Sequence, residues 1–257
     1  DYFKAQKLFQ NKGITLRRPA MHMVFTGNPG TAKTTVARLF AQILKDNGLL
    51  PVGNLYELGR ADLVGKYVGW TAPMVKEKFK QAKGSVLFID EAYSLVDDRD
   101  GLYGDEAINT IVQEMENHRE DLVVILAGYP NKMERFLQKN PGLRSRIAFH
   151  VPFADYTARE LMEITQWMAQ EQQLHLAEGV RDKLLNLFAL ALQQPDFGNG
   201  RFVRNLLEKA RMKQAGRLVQ MNADQVTPEE VSTLLPEDFA FPALTGTAPK
   251  RTIGFGG

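Results

Sequence analysis

Residues 23–44 read MVFTGNPGTAKTTVARLFAQIL, and the fold turns on them. An apolar run ends at Gly27. The next positions follow the phosphate-loop spacing G-x-x-x-x-G-K-[ST] with one departure, and a helical stretch runs from Thr34 to about Lys45. In such a loop, successive backbone N–H groups point into a concavity at a helix N-terminus, where they hold phosphate oxygens. Gly27, Asn28, Pro29, Gly30, Thr31, Ala32, Lys33, Thr34 and Thr35 are the expected nucleotide-binding residues. Lys33 reaches the outer phosphates, and the Thr34 hydroxyl is the expected Mg2+ ligand.

The departure is Ala32, where the pattern has glycine. Glycine is obligatory only where φ is positive or where backbone passes very close to a ligand. The residue before the lysine is expected to open the helix with a negative φ. There, alanine is favoured over glycine by roughly 1 kcal/mol. On that expectation the loop binds nucleotide; a surface turn, or a loop that has lost nucleotide binding, is the alternative.

The second half of the site is SVLFIDEA, residues 85–92. An apolar strand ending in Asp90 and Glu91 puts two carboxylates at the C-terminal edge of a parallel sheet, where nucleotide sites of open α/β sheets lie. Asp90 is the expected partner of Mg2+ through water, and Glu91 the group that polarises the attacking water. A plain helix cap is the alternative for this pair.

Around these motifs, strand-like and helix-like segments alternate, the pattern of an α/β domain with a parallel sheet. MHMVFTG, NLYELG, SVLFID, DLVVILAG and IAFHVPF are the expected strands. TAPMVKEKFKQAKG, GDEAINTIVQEMENH and a short stretch from Asn131 to Gln138 are the expected helices between them. After Phe153 the period becomes helical in TARELMEITQWMAQEQQ, EGVRDKLLNLFALAL, RFVRNLLEKARMKQAGRLV and TPEEVSTL. The expected organisation is an N-terminal helix or linker over 1–20, an α/β nucleotide-binding domain over 21–154, an all-helical domain over 155–236, and a tail over 237–257 rich in Gly, Pro and Thr.

Composition narrows the function. The chain has 257 residues, with 32 basic against 30 acidic side chains and a net charge of +2. No basic block stands out, which speaks against a nucleic-acid partner. There are no cysteines, so disulfides, thiolate metal sites and a cysteine nucleophile are excluded and a reducing cytoplasm is the expected setting. His22, His118, His150 and His175 show no ligand spacing. The apolar runs are too short for a membrane-spanning helix.

The stretches GNPGTAKTTVARLFAQIL, RADLVGKYVGWTAP, GSVLFIDEAYSL, YGDEAINTIVQEMENHREDLVVILAGY, NPGLRSRI and GNGRFVRNLLEKA together resemble the AAA+ ATPases. The likeness is to the group of the red-type rubisco activase CbbX and the stage V sporulation protein K, and it covers Met21 to about Arg217. It implies a P-loop AAA+ domain with a five-stranded parallel sheet followed by a small helical lid. It also implies ATP and Mg2+ as cofactors, and a homo-oligomer, a hexameric ring, with ATP at the subunit seams. In that setting Arg146 resembles the arginine finger that reaches a neighbour's γ-phosphate, with Arg144 competing. An always-charged guanidinium fork suits the charge that develops in phosphoryl transfer. Arg201, with Arg204 behind it, resembles the lid arginine that senses nucleotide. The first sensor, usually Asn or Thr at the end of the fourth strand, falls on Tyr129 or Gly128 here.

Lys66, Tyr67, Val68 and Gly69 resemble the pore loop with which ring remodellers grip a polypeptide, and Trp70 adds a second aromatic. Packing of both rings into the core is the alternative; the flanking Gly65 and Gly69 favour an exposed segment. DDRDGLYGDEA, residues 97–107, is expected as a second loop toward the same channel. The implied function is an ATP-driven remodeller of a protein client, activase-like or sporulation-protein-like. A nucleic-acid motor or loader, and an ATP-gated assembly scaffold with little turnover, are the competing classes.

Overall fold

In the computed structural model, residues 8–9, 12–13, 19–67, 69–96, 102–194, 197–221 and 226–240 are described. The first of two compact units ends at Asp155. It runs β1 (Met23–Gly27), α1 (Lys33–Asp46), β2 (Leu55–Leu58), α2 (Arg60–Leu63), α3 (Thr71–Gln81), β3 (Val86–Ile89) and a 3-10 turn (Ala92–Val96). It continues through α4 (Leu102–Asn117), β4 (Val123–Gly128), α5 (Pro130–Lys139), α6 (Pro141–Arg146) and β5 (Phe149–Phe153). The strands form one parallel sheet in the order β2-β3-β4-β1-β5.

Strands β3 and β4 are apolar throughout because both faces of the sheet are covered. Alternate side chains feed two cores. Val24, Leu87, Ile89, Val124 and Leu126 pack with Val75 and Phe79 of α3, Ile111 and Met115 of α4, and Phe136 of α5. Met23, Phe25, Val86, Phe88, Val123 and Ile125 pack on the other face with Ala37, Ala41 and Leu44 of α1. Truncating one such fully buried Phe or Leu to alanine costs about 2–5 kcal/mol.

His22, fully buried just before β1, ties these layers together. Its Nδ1 accepts the Val124 N–H at 3.0 Å, which leaves Nε2 to donate to the Met115 carbonyl at 3.0 Å.

Three short elements were not expected: α2, the 3-10 turn and α6. Arg144 and Arg146 accordingly lie on a helix opened by Pro141 rather than at the start of the fifth strand, which begins only at Phe149. Of the expected channel loop 97–107, residues 97–101 lie outside the described residues. From Leu102 onward the chain is the first turn of α4. Gly104 belongs to that turn because a Cβ there would come within 2.0 Å of the Leu95 carbonyl.

The second unit begins at Tyr156. It comprises α7 (Ala158–Glu171), β6 (His175–Leu176), α8 (Val180–Ala191), α9 (Asn199–Val219), α10 (Pro228–Ser232), β7 (Thr233–Leu234) and a 3-10 turn (Pro236–Asp238). It is helical as expected, with one addition, the two-residue parallel ladder β6–β7. Thr157 and Glu160 close a capping box at the start of α7. The buried Gln214 amide donates to the carbonyls of Glu230, Val231 and Thr233, pinning α10 to α9. Arg217 pairs with buried Asp238 at 3.1 Å and holds the last turn. Most of the expected N-terminal helix and residues 241–257 of the expected tail lie outside the described residues. Among the described residues no helix is long and apolar enough to cross a membrane.

Candidate functional site

The phosphate loop occupies the turn between β1 and α1, at the C-terminal edge of the sheet. Gly27 begins it under β5: a Cβ there would lie 2.5 Å from the Phe153 carbonyl oxygen, so only glycine fits. The buried Thr31 hydroxyl donates to the Asn28 carbonyl at 2.8 Å. The Lys33 ammonium donates to the carbonyls of Gly27 and Asn28, both at 2.8 Å, so the lysine lies across the mouth of its own loop. The Asn28 amide donates to both Asp155 carboxylate oxygens at 3.1 and 2.9 Å.

One expectation about this loop is overturned. Ala32 has φ +64° and ψ 22°, in the left-handed region, and is the residue before α1 rather than its first residue. The N-cap of a helix does not itself need helical dihedrals. The positive φ values at Gly30 (+74°) and Ala32 bend the chain so that the loop can close before Lys33 starts the helix. The methyl group is thus held in a conformation that costs an L-residue about 1–2 kcal/mol. The glycine of the general pattern has a conformational reason here, and alanine departs from it at a cost.

The acidic pair ends β3. Asp90 N–H donates to the Leu58 carbonyl at 3.0 Å, and one Asp90 carboxylate oxygen accepts the Glu91 N–H at 3.0 Å. Both side chains are exposed at the sheet edge, and Glu91 has φ +49°. Only β4 separates this strand from β1, with Thr26 opposite Gly128 and Ile89 opposite Leu126. Loop and carboxylates therefore open onto the same edge.

These groups fit a Mg2+-bound triphosphate. No side chain caps α1, so its first turn faces the loop. Among the described residues no cluster of three or more His, Cys, Asp or Glu could hold a metal by itself. The Thr34 hydroxyl and the Asp90 carboxylate could hold Mg2+ if phosphate oxygens and water completed its ligand set.

Residues 23–154 match the family described as the ATPase family associated with various cellular activities (AAA), and residues 157–248 match the AAA lid domain. The chain belongs to the AAA ATPases. It is 51% identical over 221 residues to a CfxQ homolog of Galdieria sulphuraria, covering 86% of this chain and 72% of that protein. It is 47% identical over 233 residues to the chloroplastic ribulose bisphosphate carboxylase/oxygenase activase of Cyanidioschyzon merolae, covering 90% and 80%. Against CbbX of Cereibacter sphaeroides it is 47% identical over 230 residues, covering 89% and 74%. Within the AAA ATPases it is thus of the CfxQ/CbbX type. The crystal structure of the FIGL-1 AAA domain in complex with ADP shares the fold, with a TM-score of 0.62 at 20% identity over 92% of this chain and 74% of that one.

The other candidate residues of this AAA chain are distributed as follows. Arg146, half-buried on α6, pairs with Glu116 of α4, whereas Arg144 is exposed. Arg201 and Arg204 are both exposed near the start of α9, in the second unit. Tyr129 stands directly after β4, between the phosphate loop and the acidic pair. Lys66, Tyr67, Gly69 and Trp70 lie in the segment between α2 and α3, and Val68 lies outside the described residues. Tyr67 is 62% and Trp70 56% exposed, and their rings meet edge to face at 4.9 Å, so neither packs into the core.

Tyr93, close to Glu91 in the chain, and Lys132 escaped the sequence reading. Tyr93, on the 3-10 turn, is buried with its ring beside Tyr129, and Lys132 of α5 stands over both rings. Burial first, and then the charge and hydrogen bonding of Glu91, push the Tyr93 hydroxyl far above its ordinary pKa. The only sequence signal was its place two residues after Glu91.

Proposed function

We propose that this chain is the subunit of an ATP-hydrolysing ring that remodels a protein client, with rubisco as the client class that the name of one relative suggests. In this reading the loop N–H groups and Lys33 bind the phosphates, and Glu91 accepts a proton from the attacking water. Arg146 of one protomer completes the site of the next, and Arg201 reports nucleotide to the lid. Thr34 and Asp90 would hold Mg2+, which would supply neutralising charge to the phosphates. Thr35 and the rest of the loop, from Asn28 to Ala32, shape the cradle.

The observation that carries the remodelling part is the exposed Tyr67–Trp70 pair beside a glycine with φ +80° and open space around it. A large apolar contact on a loop grips an extended chain without reading its sequence. The test is ATP turnover, with sizing in the presence and absence of ATP, while inhibited rubisco, an unfolded protein, single-stranded DNA or double-stranded DNA is added. Stimulation by rubisco supports the reading; stimulation by DNA alone overturns it in favour of a nucleic-acid motor. Tyr129, in place of a short polar sensor, favours a second reading, an ATP-gated scaffold with little turnover. Ring formation with negligible hydrolysis, client present, would select it.

A further inference from the structure

The phosphate loop leaves β1 at Gly27, and β5 ends at the register partner of that residue, Phe153. One residue past Gly27, Asn28 meets Asp155, two residues past Phe153. The Asn28 amide nitrogen lies nearly midway between the carboxylate oxygens, at 3.1 and 2.9 Å, and donates to both. The charge on the acceptor strengthens this bond.

Asn28 is also where the inner contacts of the loop converge. Its carbonyl accepts the Lys33 ammonium and the Thr31 hydroxyl, both at 2.8 Å. A phosphate anion attracts that ammonium. Filling the loop therefore takes a donor from the Asn28 carbonyl and disturbs the residue whose side chain Asp155 holds.

Beyond Asp155 the chain is tied a second time. Asp155 closes the first unit and Tyr156 opens the second. Tyr156 N–H donates to Asn199 Oδ1 at 2.9 Å, and the Asn199 amide donates to the Phe197 carbonyl at 3.2 Å. Asn199 is fully buried at the start of α9 with φ +47°, a left-handed conformation held by bonds at both ends of its side chain. Arg201 and Arg204 follow within the first two turns of that helix. Each of these bonds lies within its own unit, and a single peptide link, Asp155–Tyr156, has a side-chain anchor on either side.

We propose that Asp155 carries the state of the phosphate loop along the chain to the second unit. It follows Asn28 when nucleotide draws Lys33 away, and Tyr156, tied to Asn199, delivers the shift to the start of α9. This rests on nucleotide binding by the loop, as proposed above. Coupling needs a connected element that both ends bias, and a link anchored at both ends supplies one.

The test is hydrogen exchange of the parent chain and of Asp155→Ala with and without ADP, read in the phosphate loop and in residues 156–171 and 197–210. In the parent, ADP should slow exchange in all three. In Asp155→Ala it should still slow the loop, while the response of the other two falls about threefold or more. ADP affinity should stay within about threefold of the parent, because the lost bond touches no phosphate. Asp155→Asn, which keeps one acceptor oxygen, should recover most of the response. Asn28→Ala should lose the same response, and the double variant no more than either alone. A response of 156–171 and 197–210 as large in Asp155→Ala as in the parent overturns the inference. So does a loop whose own protection and ADP affinity fall with them, which makes Asp155 a part of the loop only. Two failures in the parent stay apart: ADP that protects nothing refutes nucleotide binding, and ADP that protects the loop alone refutes the coupling.

Discussion

Arg146 and Glu116 are ion-paired within one protomer, Nε to Oε2 at 3.3 Å. Arg146 Nη1 also donates to the Gly142 carbonyl at 3.1 Å, and the side chain is only 29% exposed. Arg144 sits two residues earlier on α6, about 200° around the helix, and lines a groove of about 330 Å3 with Thr26, Met133, Glu134 and His150. An arginine that serves a neighbouring subunit must first leave Glu116. The pair is half-exposed, so releasing it costs at most about 1 kcal/mol. Glu116→Gln is therefore expected to lower the protein concentration at which ATP turnover is half-maximal. Arg146→Ala should abolish turnover by about 10³-fold or more while ATP still binds. Turnover measured against protein concentration checks both. If Arg144→Ala is the inactive variant and Arg146→Ala is not, the trans role belongs to Arg144.

Ala32 at φ +64° gives the second prediction. Ala32→Gly relieves about 1–2 kcal/mol of left-handed strain and adds about 0.5–1 kcal/mol of unfolded-state entropy. The expected net is a gain of up to about 1.5 kcal/mol, with nucleotide affinity equal or tighter. Ala32→Val, β-branched at the same φ, should melt earlier and bind ADP more weakly. Melting curves with and without ADP, together with calorimetry, read both.

Much of this site was legible because its chemistry lies in consecutive residues. The loop and the Asp90–Glu91 pair are each a short run after an apolar strand, and apolar strands reveal themselves when both sheet faces are covered. What sequence did not show depends on dihedral angles or on distant contacts. The positive φ of Ala32 follows from where the helix starts, which one residue's identity does not report. The α6 helix is six residues long and begins Pro-Gly, too short for any period to register. Tyr93 meets Tyr129 and Lys132 only after β3 and β4 pair.

In the proposed function Lys33 serves binding and Glu91 serves chemistry, and two variants separate them. Lys33 bridges the carbonyls of Gly27 and Asn28, so Lys33→Ala removes a clamp across the loop and, in the proposed function, a phosphate-binding charge. ATP affinity measured by calorimetry should fall at least tenfold. Glu91→Gln keeps the size and exposure of the side chain and removes its basicity. ATP should bind as before and phosphate release should stop.

Buried His22 makes stability depend on pH. Both ring nitrogens are engaged as the neutral tautomer, and burial lowers its pKa below the ordinary 6.5. In the unfolded chain the imidazole takes up a proton as pH falls through 6.5, while the folded protein resists. The unfolded state then binds more protons, so stability rises with pH in this window. The His22 contribution is complete above about 6.5 and is lost progressively below it, down to the folded pKa. Melting temperature should drop between pH 7.5 and 5.5. The drop should be shallower in His22→Gln, even though that variant melts earlier at every pH.

Tyr67 tests the grip apart from the motor. It lies outside both cores and away from the loop and acidic pair in sequence, so Tyr67→Ala should melt like the parent and hydrolyse ATP at a similar basal rate. Its edge-to-face contact with Trp70 is worth about 0.5–1.5 kcal/mol, and losing it affects only two exposed rings. If the ring presses on a client chain, Tyr67→Ala should lose client stimulation of ATP turnover and client remodelling together. Tyr67→Phe, which keeps the apolar face and drops the hydroxyl, should retain most of both. Trp70→Ala should be intermediate, because it removes the support for Tyr67 and leaves the gripping ring in place. A Tyr67→Ala protein that still remodels its client at the parental rate would move the grip to another part of the molecule, since no other property of this exposed ring would compensate for its loss.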